Sequence, residues 1–507
     1  MRNQASCLSA AILMAVGGAH VAHADAEMVT EYCSGCHTES EGTFSRISDQ
    51  RKSPEGWMMS IVRMQQQRGL EISAEDRRAI VQYLSDTQGL APSETTGFRY
   101  GLEKDPNFIE AVEEPMGSMC TRCHTEARNG LQRRTPEEWL TLVDFHVGNY
   151  PTIEYQALGR DREWYKIAKE EIAPMLAEAY PLETEAWAAW HGMAKKPVAG
   201  EWIVMTELPD VGEVYGSLTV TGDASPYQVT GELRGADGAS HAVSGTMNLY
   251  TGFEWRATLD IGGQMYRQVL AVSEDGTGLE GRQFLRETDS LGGRLTGVRA
   301  DHEGVILGTV PSAVPAGAAT VQVVGSGLDA LDVSTGEASG NAFGAELALE
   351  TEGNGHVTFA SGGAEGSIAH FSSLDGIVVE PAFTIARVGG GGEVVPEAVP
   401  AHFKAIGLWN GPDGQPGTED DVRLGRIDAE WSVGNLHDHA AKMEDARYAG
   451  QIDGGGIFTP NIAGPNQDRP FTTNNAGELT VTASAMGQSG DATLIVTVQR
   501  YIDPPIR

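Results

Sequence analysis

Cysteine is scarce in this 507-residue chain, which holds only Cys7, Cys33, Cys36, Cys120 and Cys123. Five thiols in so long a chain exclude a disulfide-dense scaffold. Cations are scarce as well: 36 Lys and Arg stand against 70 Asp and Glu, a formal charge of −34. So acidic a surface argues against nucleic acid and anionic membrane as partners. No later segment approaches the ~18 uninterrupted apolar residues of a membrane span. The P-loop, dinucleotide-binding and G-x-S-x-G fingerprints are missing too. What is abundant is glycine, 63 residues against a usual share of ~7%, which points to many turns and hence to β structure. A chain this long predicts three to five domains at roughly 100–200 residues each.

The N-terminus reads as an export signal over residues 1–24. Arg2 forms the charged start, Leu8 to Ala19 the apolar stretch, and Ala22-His23-Ala24 a small-residue cleavage site. Removal of this segment takes Cys7 with it and predicts a periplasmic protein. The four remaining cysteines fall in two frames of one kind, Cys33-Ser34-Gly35-Cys36-His37 and Cys120-Thr121-Arg122-Cys123-His124. C-x-x-C-H is the attachment signature of c-type haem. The two sulfurs add to the porphyrin vinyl groups, and the adjacent histidine supplies the proximal iron ligand. A zinc site needs Cys and His to converge on one ion, and a disulfide leaves both histidines unexplained. The expectation is two covalently bound haems c, on Cys33/Cys36 with His37 and on Cys120/Cys123 with His124.

An internal repeat supplies the opposite ligands. Ser53-Pro54-Glu55-Gly56-Trp57 and Thr135-Pro136-Glu137-Glu138-Trp139 align at an offset of 82 residues. Each opens with a hydroxyl N-cap and a proline at the first helical position. Trp57, Ile61 and Met64 then share one helical face, as do Trp139, Val143 and His146. The offset sets Met64 opposite His146, and both residue types fill a haem iron's open axial position. The expected pairs are His37/Met64 and His124/His146, with Met58, Met59, Met116, Met119, Met175 and His191 as substitutes. Ser73 caps a further helix through Leu84. Trp164 to Tyr180 reads as helix broken near Pro174, and Trp187 and Trp190 are expected to pack under a haem.

Beyond Val198 the texture changes to short alternating runs between turn residues. The expected architecture is a mainly α-helical dihaem cytochrome c domain followed by three all-β domains. The divisions are 25–197 (repeats of about 25–100 and 101–197), an antiparallel β-barrel at 198–310, and immunoglobulin-like sandwiches at 311–392 and 393–507. Gly389 to Gly392 reads as a hinge. The acidic turn at Asp413 to Asp421 and His437-Asp438-His439 are weak metal candidates beside a plain turn.

These features together resemble the alpha subunit of quinohemoprotein amine dehydrogenase. The resemblance rests on the two C-x-x-C-H frames and the two Trp-containing helices, and it extends in layout over the whole mature chain. It implies a periplasmic heterotrimer with a β-propeller beta subunit and a small gamma subunit carrying cysteine tryptophylquinone. It also implies a soluble blue copper protein or cytochrome c as acceptor. No quinone can be built on this chain's mature cysteines, because the haem motifs use all of them. Its expected role is therefore electron relay, with no amine chemistry of its own. A freestanding dihaem cytochrome with β binding modules and a dihaem peroxidase are the alternatives.

Overall fold

The computed structural model describes residues 26–155, 163–328, 331–390 and 395–499. The expected signal segment lies outside them. Among the described residues no helix is long and apolar enough to cross a membrane.

The N-terminal region is built from the repeat. Helix α1 (Ala26–Cys33) ends on the first motif cysteine. Strand β1 (Gln50–Lys52) leads into α2 (Pro54–Arg68), and α3 (Ala74–Gln88) packs back on it. In the second repeat, β2 (Gln132–Arg134) leads into α4 (Pro136–Asn149). The caps are the expected ones. Ser53 accepts from the Gly56 N–H and Thr135 from the Glu138 N–H, with proline at each helix start. Helix α2 stops at Gly69, whose φ of 73° is left-handed and suits a residue without Cβ.

The two repeats meet in an antiparallel ladder with register Gln50↔Arg134, Arg51↔Arg133 and Lys52↔Gln132. Since each strand is the other shifted by the repeat offset, a pseudo-two-fold axis passes through the Arg51–Arg133 pair. Side chains alternate across a strand. Arg51 and Arg133 therefore share one face of the ladder, and Lys52 and Arg134 share the other. Both tryptophans are buried, Trp57 donating to the Gln88 carbonyl at 3.0 Å and Trp139 to the Tyr180 carbonyl at 3.3 Å. The helix after Trp164 widens into a π turn at Ala168–Ile172 just ahead of Pro174. Proline lacks the N–H that a regular α ladder needs there.

Eight antiparallel strands between Gly200 and Arg299 close into a barrel, each paired with its sequence neighbour and the first with the last. Helix α5 (Glu185–Gly192) stoppers this barrel, which corrects the expected role of its tryptophans. Trp187 and Trp190 join Trp202, Phe253 and Trp255 in the barrel core rather than lying under a haem. The Trp190 indole donates to the Thr251 carbonyl at 2.8 Å and meets Phe253 edge-on at 5.5 Å. An aromatic plug buries more area at an open barrel end than a polar cap does, and the Trp190 indole N–H finds its acceptor there.

The next unit stacks two four-stranded sheets between Val305 and Phe371 around Val321, Val323, Leu347, Phe359 and Ile368. The last unit arranges a four-stranded and two three-stranded sheets around Phe403, Leu479, Val481 and Leu494. Two strand pairs are parallel, Ala313–Pro315 with Ala364–Phe371 and Phe383–Arg387 with Gln488–Thr497. The expected boundary at residue 392 is corrected by this pairing. Gly376–Glu380 and Phe383–Arg387 hydrogen-bond to Lys404–Trp409 and Gln488–Thr497, so both belong to the last unit. Gly389 bridges to Ile462 inside that unit, while Gly391 and Gly392 lie outside the described residues.

Candidate haem centres

Both C-x-x-C-H segments form tight turns after a helix end. In the first, the His37 and Cys36 N–H groups return to the Cys33 carbonyl at 2.9 and 3.1 Å. In the second, the Cys123 N–H returns to the Cys120 carbonyl at 3.3 Å. Each turn sets two sulfurs and an imidazole on one small arc of chain. Cys36 is exposed, and Cys33, Cys120 and Cys123 are half-buried. Burial pushes the Cys120 thiol up to about 12 and raises Cys33. Among the described residues no three His, Cys, Asp or Glu side chains converge on a metal position.

The structure brings His124 and His146 together. Their ring centres are 6.5 Å apart and tilted by 43°. An imidazole nitrogen binds a first-row metal at about 2.0–2.1 Å, so two imidazoles facing across one iron place their ring centres roughly 6–6.5 Å apart. The spacing thus fits an iron between them. Both Nδ1 atoms are committed to backbone carbonyls, His124 to Thr125 at 2.9 Å and His146 to Leu142 at 2.7 Å. His37 does the same with Ser45 at 2.7 Å. In each case Nδ1–H donates and the Nε2 lone pair is left for a metal, the usual outer-shell arrangement of a ligating histidine. Burial pushes His124 down to about 4 and lowers His146. Both rings are therefore neutral, the form that ligates.

Between these histidines opens a cavity of about 580 Å³, with Cys123 on its wall. Lys52, Arg63, Arg128 and Arg134 also line it, and no carboxylate does. Such a wall suits a group with an apolar body and anionic substituents, as a haem with its propionates is. Sequence reasoning missed these cations. The signal was present in the repeat, whose alignment continues upstream through Gln50-Arg51-Lys52 and Gln132-Arg133-Arg134 to Arg46 and Arg128.

The first site is more open. Trp57 and Ile61 pack with Val29 and against Cys33, and Met64 lies half-buried one turn further along the same face of α2. The substitute ligands sort by location. Met58 packs at the first site, and Met59, on the other flank of α2, lines the second cavity. Met116 and Met119 pack with Cys120 and Trp139, Met175 is largely exposed, and His191 stacks on Trp187 at the barrel end. The other candidates are plain structure. Asp413 and Asp421 accept the Gln415 and Gly417 N–H groups of their own turn at 2.8 and 2.6 Å. His437 caps a short helix through the Ala440 N–H and donates to Glu478 at 2.7 Å.

Fold and sites together define a haem-binding protein whose double helical repeat is joined to a β-barrel and two β-sheet units. Comparison with known families gives the same answer. Residues 23–187 match the family described as quinohemoprotein amine dehydrogenase A, alpha subunit, haem binding. Residues 195–300 match domain II and residues 377–506 domain IV of that alpha subunit. The chain belongs to the quinohemoprotein amine dehydrogenase alpha-subunit family, a subunit of an oxidoreductase complex. No curated protein matches it. Among solved structures, a redesigned β-barrel bound to DFHBI is 16% identical, covers 20% of this chain and 94% of its own, and gives a TM-score of 0.18. Drosophila N-cadherin EC1-4 is 12% identical, covers 61% of this chain and 95% of its own, and gives 0.15.

Proposed function

We propose that the chain is the dihaem c-type electron-transfer subunit of a periplasmic amine dehydrogenase. It takes electrons from a cysteine tryptophylquinone in a small partner subunit and passes them to a soluble copper protein or cytochrome c. The observation that carries this reading is the facing pair His124 and His146, each anchored through Nδ1, beside a motif cysteine and a cation-lined cavity. Cys33, Cys36, His37 and Met64 would hold one haem, and Cys120, Cys123, His124 and His146 the other. When bound, the group supplies one-electron redox chemistry. The chain contributes anchored ligands and neutral imidazoles, which lower the structural change that accompanies electron transfer. A histidine at both axial positions leaves no open site for peroxide, which favours relay over the peroxidase alternative. A methionine ligand raises the potential of the Cys33/Cys36 haem relative to a second histidine.

Haem quantitation on the purified chain, with haem staining on a denaturing gel, tests the count. Two haems per chain are expected, and a ratio near one overturns the reading. Added primary amine should leave the haems of the lone chain oxidised and should reduce both in the whole complex. Rapid reduction by amine with no other polypeptide present contradicts the division of labour.

A further inference from the structure

We propose that Lys52 and Arg63, two cations of the first repeat, bind the propionate carboxylates of the haem in the second repeat and set its reduction potential. This rests on the dihaem reading above and extends it to residues outside both motifs.

The repeat shows why Lys52 is unusual. Its counterpart across the pseudo-two-fold axis is Arg134. Both are buried, and both lie over the tryptophan of their own helix, Lys52 at 5.0 Å from the Trp57 ring centre and Arg134 at 5.6 Å from Trp139. Arg134 has an anionic partner one turn into its helix, Glu138, at 3.4 Å. The equivalent position beside Lys52 is Gly56, where an added Cβ would stand 2.9 Å from the Lys52 Cβ. The lysine thus keeps the buried place of Arg134 and lacks its carboxylate. Lys52 donates instead to the Ser60 hydroxyl at 2.8 Å.

Arg63 is in the same position. It donates to the Met59 sulfur at 2.8 Å and stacks on Phe145, its own repeat counterpart, at 5.2 Å. Among the described residues, neither Lys52 nor Arg63 has a carboxylate within ion-pair distance. Lys52 is buried and Arg63 half-buried, and a charge held out of water without a partner is costly. Burial holds Lys52 well below the usual lysine range. Both side chains line the cavity that contains His124, His146 and Cys123. In a chain of net charge −34, a cavity walled by four cations and no carboxylate is built for an anion. The haem that those histidines and cysteines hold brings two carboxylates of its own. Paired cations near the iron favour its reduced, less positive state.

The test uses the purified complex with both haems attached. Spectroelectrochemical titration distinguishes the haems by the long-wavelength thioether–iron band of the methionine-ligated one. Lys52→Gln and Arg63→Gln should each lower the bis-histidine haem's reduction equilibrium about tenfold, which is about 59 mV for one electron. The other haem should move less, and Lys52→Arg should restore the wild-type value. If Lys52→Gln does not accumulate with haem, Arg63→Gln decides alone. A bis-histidine potential unchanged in these variants overturns the proposal, and so does an equal shift in both haems. A wild-type potential that tracks phosphate concentration assigns the site to a free anion and also overturns it. Fewer than two haems per wild-type chain fails the dihaem reading itself, which the haem count reports separately.

Discussion

Replacing Glu94 should unfasten the two repeats, because one carboxylate serves both arginines of the pseudo-two-fold axis. Arg51 donates to Glu94 through Nη1 at 2.9 Å and Nη2 at 3.0 Å, and Arg133 through Nε at 3.0 Å. The Thr184 hydroxyl at 2.9 Å and the Ala91 N–H at 2.8 Å complete the shell. All three charged residues are buried. Glu94→Gln keeps the volume and leaves two guanidinium groups facing an amide. Removing one partner of a buried ion pair costs about 3–5 kcal/mol. At about 2–4 °C per kcal/mol for a domain of ~150–250 residues, the melting temperature of the haem region should fall by roughly 6–20 °C. The pH dependence is a second readout. Burial alone would raise the Glu94 carboxyl, but the Arg51 hydrogen bonds, the Ala91 N–H and the Arg133 charge outweigh it and hold it below its ordinary 4.5. A depressed folded-state pKa contributes stability that is fully present above 4.5 and lost as the pH falls through the folded value. Thermal melts of wild type and Glu94→Gln, recorded from neutral pH down through the carboxylate range, should therefore converge on acidification. A difference below ~2 °C at neutral pH, or two curves that fall in parallel, refutes the reasoning.

Two further outcomes follow from the sites and the barrel. Met64→Ala should abolish the long-wavelength thioether–iron band while His146→Ala leaves it and disturbs the other haem; loss of that band in Met58→Ala instead would displace Met64 as ligand. Trp190→Ala should destabilise the barrel end by about 3–5 kcal/mol, read by chemical denaturation, and leave the visible haem spectrum unchanged. A changed haem spectrum would return this tryptophan to the haem pocket.

The parts of this protein legible in its sequence were those written in short-range chemistry. The C-x-x-C-H frames, the hydroxyl-proline helix starts and the Trp–His spacing of α4 depend on local geometry; the expected caps form, and the His124 and His146 ring centres lie 6.5 Å apart. The barrel was legible because alternating runs of similar length close on their neighbours. Long-range assignments failed where the deciding contact comes from distant sequence. Trp187 and Trp190 look like any aromatic pair beside a haem region until Thr251 and Phe253 arrive to receive one of them. The strands at Gly376–Glu380 and Phe383–Arg387 precede a glycine run that reads as a boundary, yet their partners at Lys404–Trp409 and Gln488–Thr497 both lie beyond it.

Departures from the repeat carry more functional information than its conservation of pattern. Two copies of one element related by a two-fold axis would build two similar pockets. Here Met64 stands against His146, Gly56 against Glu138, Lys52 against Arg134 and Arg63 against Phe145. Three of these exchanges change charge or ligand type at one site, Lys52 and Arg134 both stay cationic, and all four leave the cap, proline and tryptophan that form the helix untouched. The fold therefore fixes one mutual geometry for the two sites while their electrostatics diverge. Because α2 presents Trp57 and Ile61 to the first site and Met59 and Arg63 to the second, it is a wall common to both. A charge placed on that wall acts on both sites, more strongly on the one whose cavity it lines.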